Sequence, residues 1–415
     1  MQRKLLDAAA EALTQVLNFE HPADAVLSRY FRDRRALGQH ERAFIAEAVF
    51  GVLRHKRVLD HLTGGAHPQR LLLAWLVKFQ GTGTRELATV LKAGEAEWLE
   101  ALKAASPDAL PPAVRAELPD WIYERLVPRL GEAEVLSLGG ALQEPAPLDL
   151  RVNVLRADRD AVLETLRASG IDAHPTPYSP IGLRVAGRPA INRHPLFLEG
   201  AVEVQDEGSQ LVGYLVAPRR QELVVDFCAG AGGKSLMLGA MMHSQGRLYA
   251  FDLSPGRLSR MKPRLKRSGL SNLHPHLLTS EHDTKVKRLA GKIDRVLVDA
   301  PCSGFGTLRR NPDLKWRQSP AGVAEMRVKQ AAILRAAATL VKPGGRIVYA
   351  TCSLLEEENE AIVDEFVAGH RDFSPLSCAS ILKQHGIAID AGERLRLWPH
   401  VHGTDGFFAA ALERA

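Results

Sequence analysis

The sequence predicts an α/β fold, a doubly wound and mostly parallel sheet in the second half of the chain, preceded by an all-helical stretch and a small α/β module. Three observations carry this. From Glu222 onward the short apolar runs ELVVDF, GRLYAFD, DRVLVDAP and GGRIVYATC read as strands buried on both faces. Helical stretches, notably AEMRVKQAAILRAAATLV, lie between them. Glycine, acidic and cysteine motifs gather at the ends of the apolar runs, where an open parallel sheet holds its ligand.

Residues 1–140 read as helical. ADAVLSRYFRDRRALGQHERAFIAEAVFGVLRHKRVLDHL repeats apolar residues at three- and four-residue spacing without sustained alternation. The Gly/Pro-rich stretches LTGGAHP and ASPDALPP punctuate it. Near Pro145 the texture changes. LDLRVNV and IGLRVAG alternate, and between them DRDAVLETLRASG reads as a helix opened by acids and closed by Gly170. This module, residues 145–215, ends in a strand and a helix, EGAVEVQDEGSQLVGYLVAP. The strand–helix alternation then fills residues 216–415, and RLRLWP with DGFFAAAL reads as an antiparallel pair at the sheet edge.

A chain of 415 residues is long enough for two or three domains. Its 46% apolar and 25% charged residues match an ordinary soluble protein. No apolar run approaches the roughly 18–20 residues that span a bilayer. The opening MQRKLLDAAAEALTQVLNF carries Asp7 and Glu11 within an amphipathic pattern, unlike a signal or transit peptide. A monomeric, cytoplasmic protein without membrane contact is expected. Four scattered cysteines, with no CxxC pair and no histidine cluster, predict neither a metal site nor a disulfide framework. The net charge of +6 permits a polyanionic partner. Six of the eleven residues Arg257–Arg267 are Lys or Arg, a group equally suited to a solvated helix face. Arg309, Arg310 and Lys315 follow Cys302 closely, a placement that suits phosphate contacts beside a reaction centre.

The first strand ends at Asp226 and opens into FCAGAGGKS. Glycines there let backbone approach a ligand and feed a helix N-terminus. A dinucleotide fingerprint requires G-x-G-x-x-G, which Gly230, Gly232 and Gly233 do not satisfy. A nucleoside-triphosphate loop ends in G-K-[ST], as Gly233-Lys234-Ser235 does, but its opening glycine is Cys228 here. A P-loop nucleotidase is therefore the competing reading. An S-adenosylmethionine pocket explains more. Asp252 closes GRLYAFD 22 residues after Gly230, near the ~20 expected of a ribose-binding acid. A triphosphate site has no use for Asp252, nor for two cysteines at strand ends.

Those cysteines lie in DAPCS and, fifty residues later, TCS. VVDFCAGAGGKS, FDLSPGRLSR, VLVDAPCSGFGTLRRNPDLKW, GGRIVYATCSLLEEEN and the closing DGFFAA together resemble the RNA 5-methylcytosine methyltransferase family, in its bacterial 16S rRNA branch, the RsmB type. The resemblance spans nearly the whole chain. It implies a Rossmann-like, S-adenosylmethionine-dependent domain at 216–415, a NusB-like RNA-binding domain at 1–140 and a small linker module. It implies cofactor contacts by Cys228, Ala229, Gly230, Ala231, Gly232, Gly233 and Lys234, by Asp252 at the ribose, by Asp283 at the adenine end and by Asp299. Ala231 stands where the family carries proline, which frees the loop backbone. A non-catalytic RNA-binding assembly factor is the alternative descendant.

Methylation of cytosine explains the thiols. Carbon 5 is too electron-poor to attack a methyl sulfonium until a thiolate has added to carbon 6, and a base must then remove the carbon-5 hydrogen. DNA methyltransferases of this chemistry attack with the Pro-Cys thiol, which would nominate Cys302. The RNA family uses the Thr-Cys thiol, so the resemblance implies Cys352 as nucleophile and Cys302 in product release. Asp299 is placed to meet the ring nitrogen or exocyclic amine, and Lys234 to favour thiolate. The target base must be unstacked, in single-stranded or extruded rRNA. Trp316 and Phe305 are candidates to stack on nucleotides.

Overall fold

The computed structural model describes residues 3–65, 67–106 and 109–415. Ala66, Pro107 and Asp108, within the two punctuating stretches, and Met1 and Gln2 of the opening stretch lie outside the described residues. The chain packs as two units: residues 1–145 with 307–320, and residues 146–306 with 321–415.

The first unit is helical. Its longer helices are Arg3–Val16, Ala23–Asp33, Gln39–Arg54, Lys56–Thr63, Pro68–Lys78, Glu95–Ala104, Asp120–Leu130 and Glu132–Gln143. The three- and four-residue spacing does what it predicts: Leu6, Ala9, Leu13 and Val16 form one face, buried against Ile45, Val49, Leu53, Leu72 and Trp75. Trp316, distant in sequence, packs on that same core. The motif beginning at Asp299 therefore divides. Its end, from Thr307 to Pro320, belongs to the helical unit.

The second unit holds two sheets. The smaller comprises β1 (Leu148–Val152), β2 (Ala173–Pro175), β3 (Gly182–Val185) and β4 (Val202–Val204), antiparallel in the order β2-β3-β1-β4. The helix Arg159–Ala168 is capped by the Asp158 side chain, which accepts from Asp160 N. The larger sheet comprises β5 (Leu223–Asp226), β6 (Arg247–Asp252), β7 (Leu273–Leu277), β8 (Ile293–Asp299), β9 (Val341–Thr351), β10 (Phe373–Leu376), β11 (Leu395–Leu397) and β12 (Phe407–Arg414). Its order is β10-β12-β9-β8-β5-β6-β7, with β11 paired to β12. Pairs among β5 to β9 are parallel, while β12 runs antiparallel to its neighbours. The chain order reverses between β5 and β8, the switch point where such sheets bind ligands.

One strand departs from expectation. The closing DGFFAAAL is not at the edge: β12 lies between β9 and β10, and its apolar residues are buried. The true edge on that side is β10, four residues of sequence FSPL. At the other edge β7 contains Pro275, which an edge strand tolerates because its N–H would face solvent. Among the described residues no helix is long and apolar enough to cross a membrane.

Candidate active site

Strand carboxyl ends supply the site. Asp226 closes β5, is buried, and accepts the Ser235 hydroxyl at 2.6 Å. Burial pushes its carboxyl up to about 7, against the Ser235 hydrogen bond and with help from the Asp299 charge. The loop after it crosses to the end of β6, where Ala229 N donates to Phe251 O at 2.8 Å. Gly232 caps the next helix, Gly233–Met241, at φ 84°. A Cβ there would lie 2.6 Å from Met261 Cγ, so both conformation and space require glycine.

Asp252, at the end of β6, is buried. It accepts Gly230 N at 2.8 Å and Ser254 N at 2.7 Å, one on each oxygen. These bonds fix the plane of the carboxylate and leave each oxygen a further lone pair, the donor-seeking pair a ribose diol requires. A bare glycine loop facing an oriented acid fits the adenosyl and methionyl parts of S-adenosylmethionine. The loop is not loose at Ala231. Arg264 Nη1 donates to Ala231 O at 2.8 Å, while its Nε and Nη2 hold Glu203 Oε2 on β4 at 3.1 and 2.9 Å. A guanidinium restrains the backbone where proline would have.

Lys234 is not poised for phosphates. Its ammonium donates to Asp299 Oδ2 at 2.8 Å and lies over the Phe407 ring. Burial lowers the Lys234 pKa, but the charge and hydrogen bond of Asp299, then Cys352, outweigh it and the net displacement is upward. This arrangement serves a cation beside a thiol, and disfavours the nucleotidase reading. Cys228 is pushed well above an ordinary thiol by burial and then by Asp226, Asp299 and Asp252. It lines the loop as an unreactive thiol.

The two remaining motif cysteines meet. Cys302 Sγ and Cys352 Sγ are 3.5 Å apart, on loops leaving the adjacent strands β8 and β9. Gly306 N donates to Cys352 O at 2.8 Å, and a Cβ on Gly306 would fall 2.0 Å from Gly406 O. The loop carrying Cys302 thus closes onto the backbone of Cys352. The Cys302 thiol is held well above its usual range, first by its hydrogen bond with Cys352, then by burial and by the charges of Cys352 and Glu358.

Glu358 had no role in the sequence reading beyond its place in EEN. It is fully buried behind the cysteines. It accepts Ser303 N at 2.8 Å, Gln330 Nε2 at 3.0 Å and the hydroxyls of Ser303 and Ser353. Asn359 accepts Thr351 Oγ1 at 2.5 Å and donates to Ser353 O at 3.0 Å. The signal available beforehand was that each cysteine is followed by serine.

The expectations for Lys315, Arg309 and Phe305 are corrected, while Asp283, Arg310 and Trp316 take the places described below. Asp283, assigned to the adenine end, caps the helix Thr284–Arg288. It accepts Thr279 N at 3.0 Å, Thr279 Oγ1 at 2.9 Å and Lys285 N at 2.9 Å, which hold its carboxyl down near 2. Lys315 is buried, with its ammonium on Arg54 O and Glu117 O, both at 2.8 Å; burial pushes it down to about 8. It is unavailable to phosphate. Arg309 is buried as well, and Arg310 half-buried. Trp316, half-buried, donates to Leu53 O at 3.3 Å within the helical unit, and Phe305 is fully buried and offers no stacking face.

Strand order, glycine loop and oriented acid define a Rossmann-like, S-adenosylmethionine-dependent methyltransferase. A family model described as 16S rRNA methyltransferase RsmB/F matches residues 213–413, and one for the ferredoxin-like domain of RsmF/B-like methyltransferases matches residues 118–192. The probable ribosomal RNA small subunit methyltransferase B of Synechocystis sp. is 34% identical, covering 92% of this chain and 94% of its own. The corresponding Bacillus subtilis protein is 28% identical over 98% of both chains. The solved structure of PH0851 superposes with a TM-score of 0.80 at 25% identity, covering 100% of this chain and 99% of that one. The chain belongs to the RsmB/F family of 16S rRNA methyltransferases, and its cofactor is S-adenosylmethionine.

Proposed function

We propose that the protein methylates carbon 5 of a cytosine in 16S rRNA through a covalent adduct between Cys352 and carbon 6. The observation that carries this reading is the thiol pair 3.5 Å apart at neighbouring strand ends, with an ammonium near one member and a carboxylate near the other. Cys352 attacks as the thiolate beside the Lys234 ammonium, and Cys302 donates its S–H to it. The thiolate adds to carbon 6, forming an S–C bond while the electron pair of the 5,6 double bond moves to carbon 5. Bound S-adenosylmethionine supplies the electrophilic methyl group. Asp299, ion-paired to Lys234 and a third exposed, accepts from the exocyclic amine and orients the ring.

Release follows from the same geometry. Once Cys352 is a thioether it is neither a charged neighbour nor a thiolate acceptor, and its part in holding the Cys302 proton ends. Cys302 then gives that proton to water and takes the one on carbon 5. The C–H electron pair restores the 5,6 double bond and expels the Cys352 thiolate. Both thiols return to their starting states.

The helical unit is read as the NusB-like RNA-binding part of a monomeric, cytoplasmic enzyme acting on rRNA. Incubation of protein, labelled S-adenosylmethionine and 16S rRNA, followed by bisulfite sequencing, tests the reading. One or a few protected cytosines are expected. Label incorporated without any protected cytosine would overturn it.

A further inference from the structure

The carboxylate of Glu358 joins the two cysteine loops. One oxygen accepts Ser303 N and Gln330 Nε2, at 2.8 and 3.0 Å; the other accepts both serine hydroxyls. Gln330 Nε2 also donates to Pro301 O at 2.8 Å, reaching the residue before Cys302. Tyr349, on β9 three residues before Cys352, donates to Glu358 O at 2.6 Å. Gln330 aside, every one of these partners is adjacent to a motif cysteine or three residues away. A buried carboxylate costs several kcal/mol when unpaired, so a chain that places one here must satisfy it completely. Four donors on two oxygens do so.

We propose that Glu358 is a positioning residue for the thiol pair: it binds the two Cys-Ser loops to one carboxylate and directs the thiolate to Cys352 rather than Cys302. The inference rests on the Cys352 adduct reading above. The geometry supplies the first half, because Ser303 and Ser353 cannot move apart without breaking a bond to the same oxygen. Charge supplies the second. The groups facing Cys302 are Cys352, Glu358 and Tyr349, of which Glu358 is the carboxylate, while Lys234 lies on the Cys352 side. A negative charge behind Cys302 and a positive one beside Cys352 break the symmetry of two near-identical sequence settings.

The test is alkylation of the full chain by iodoacetamide without RNA or cofactor, with Cys302 and Cys352 peptides quantified by mass spectrometry across pH. Glu358→Gln keeps the size and hydrogen-bonding reach but removes the charge. The ratio of Cys352 to Cys302 alkylation near neutral pH should fall about tenfold, the effect of one pKa unit between the thiols. Single-turnover adduct formation should slow in parallel, and Glu358→Asp should recover part of the ratio. An unchanged ratio in a folded Glu358→Gln protein overturns the proposal. Should that variant not fold, Ser303→Ala and Ser353→Ala each remove one arm and keep the charge. Slower turnover with the parental ratio supports the clamp, and parental turnover in both overturns it. The alkylation ratio does not depend on the substrate. Failure of the Cys352 adduct reading shows separately, as methylated cytosine still made by Cys352→Ala.

Discussion

The stretch from Asp299 to Pro320 reads as one motif, yet its halves do different work. Asp299 to Gly306 lies in the catalytic unit: Asp299 pairs with Lys234, Cys302 meets Cys352, and Gly306 closes on Cys352 O. Thr307 to Pro320 lies in the helical unit. There Asp313 accepts Ala23 N at 3.3 Å, Lys315 binds two carbonyls, and Trp316 joins the apolar core. Cationic and aromatic residues beside a reaction centre invite a nucleic-acid reading. Here most are interior scaffold. Proximity in sequence to chemistry does not establish a part in it; burial and hydrogen-bond partners decide.

The largest expected effects break the first half. Cys352→Ala should abolish methylation and any covalent complex, a loss on the order of 10⁴-fold or more. Cys302→Ala should leave addition intact and accumulate a methylated, denaturant-resistant protein–RNA adduct, with turnover down about 10²- to 10⁴-fold. Gel analysis under denaturing conditions reads both. An adduct in the Cys352 variant and none in the Cys302 variant would reverse the roles.

A smaller effect concerns the cofactor alone. Asp252→Ala should weaken S-adenosylhomocysteine about tenfold to a hundredfold by calorimetry, the worth of charge-assisted bonds to the ribose. Magnesium-ATP should show no binding in either protein. Tight ATP binding indifferent to the substitution would restore the nucleotidase reading.

The second half is sharpened by Lys315→Ala. It strips the Arg54 and Glu117 carbonyls of their donor and should cost about 1–3 kcal/mol in denaturant unfolding. The salt slope of rRNA binding should stay unchanged, since no phosphate contact is lost. A shallower slope with parental stability would return Lys315 to the RNA surface. Deleting residues 1–140 is a poorer test, because it removes the partners of Thr307–Pro320 along with any RNA contacts.

The smallest effect is a pH slope. Folded Asp226 keeps its proton to about 7, against an ordinary 3.8. Between those values the folded state binds more protons than the unfolded one, so stability falls as pH rises through the window. Asp226→Asn, which can still accept from Ser235, should flatten that dependence by on the order of 1–3 kcal/mol across the window. Parallel pH curves for the two proteins would show that Asp226 ionises alike in both states.

The parallel strands, the glycine loop and the acid at the end of β6 were legible in the sequence because each rests on local rules. A fully buried strand must be apolar, a loop at positive φ must be glycine, and a ribose acid must end the next strand. The cysteine motifs were legible for the same reason, as strand-end residues. What only tertiary structure decided depends on groups far apart in the chain. The Cys302–Cys352 meeting spans fifty residues, and the Glu358–Ser303 bond spans 55. Lys315 finds its carbonyls 198 and 261 residues away, which turns a predicted surface cation into a buried one. β12, read as an edge, became interior because a later strand can insert antiparallel wherever an open backbone edge awaits a partner. Local composition selects which residues are able to bury, cap or ionise. Desolvation and charge at sites assembled across the chain select which of them do.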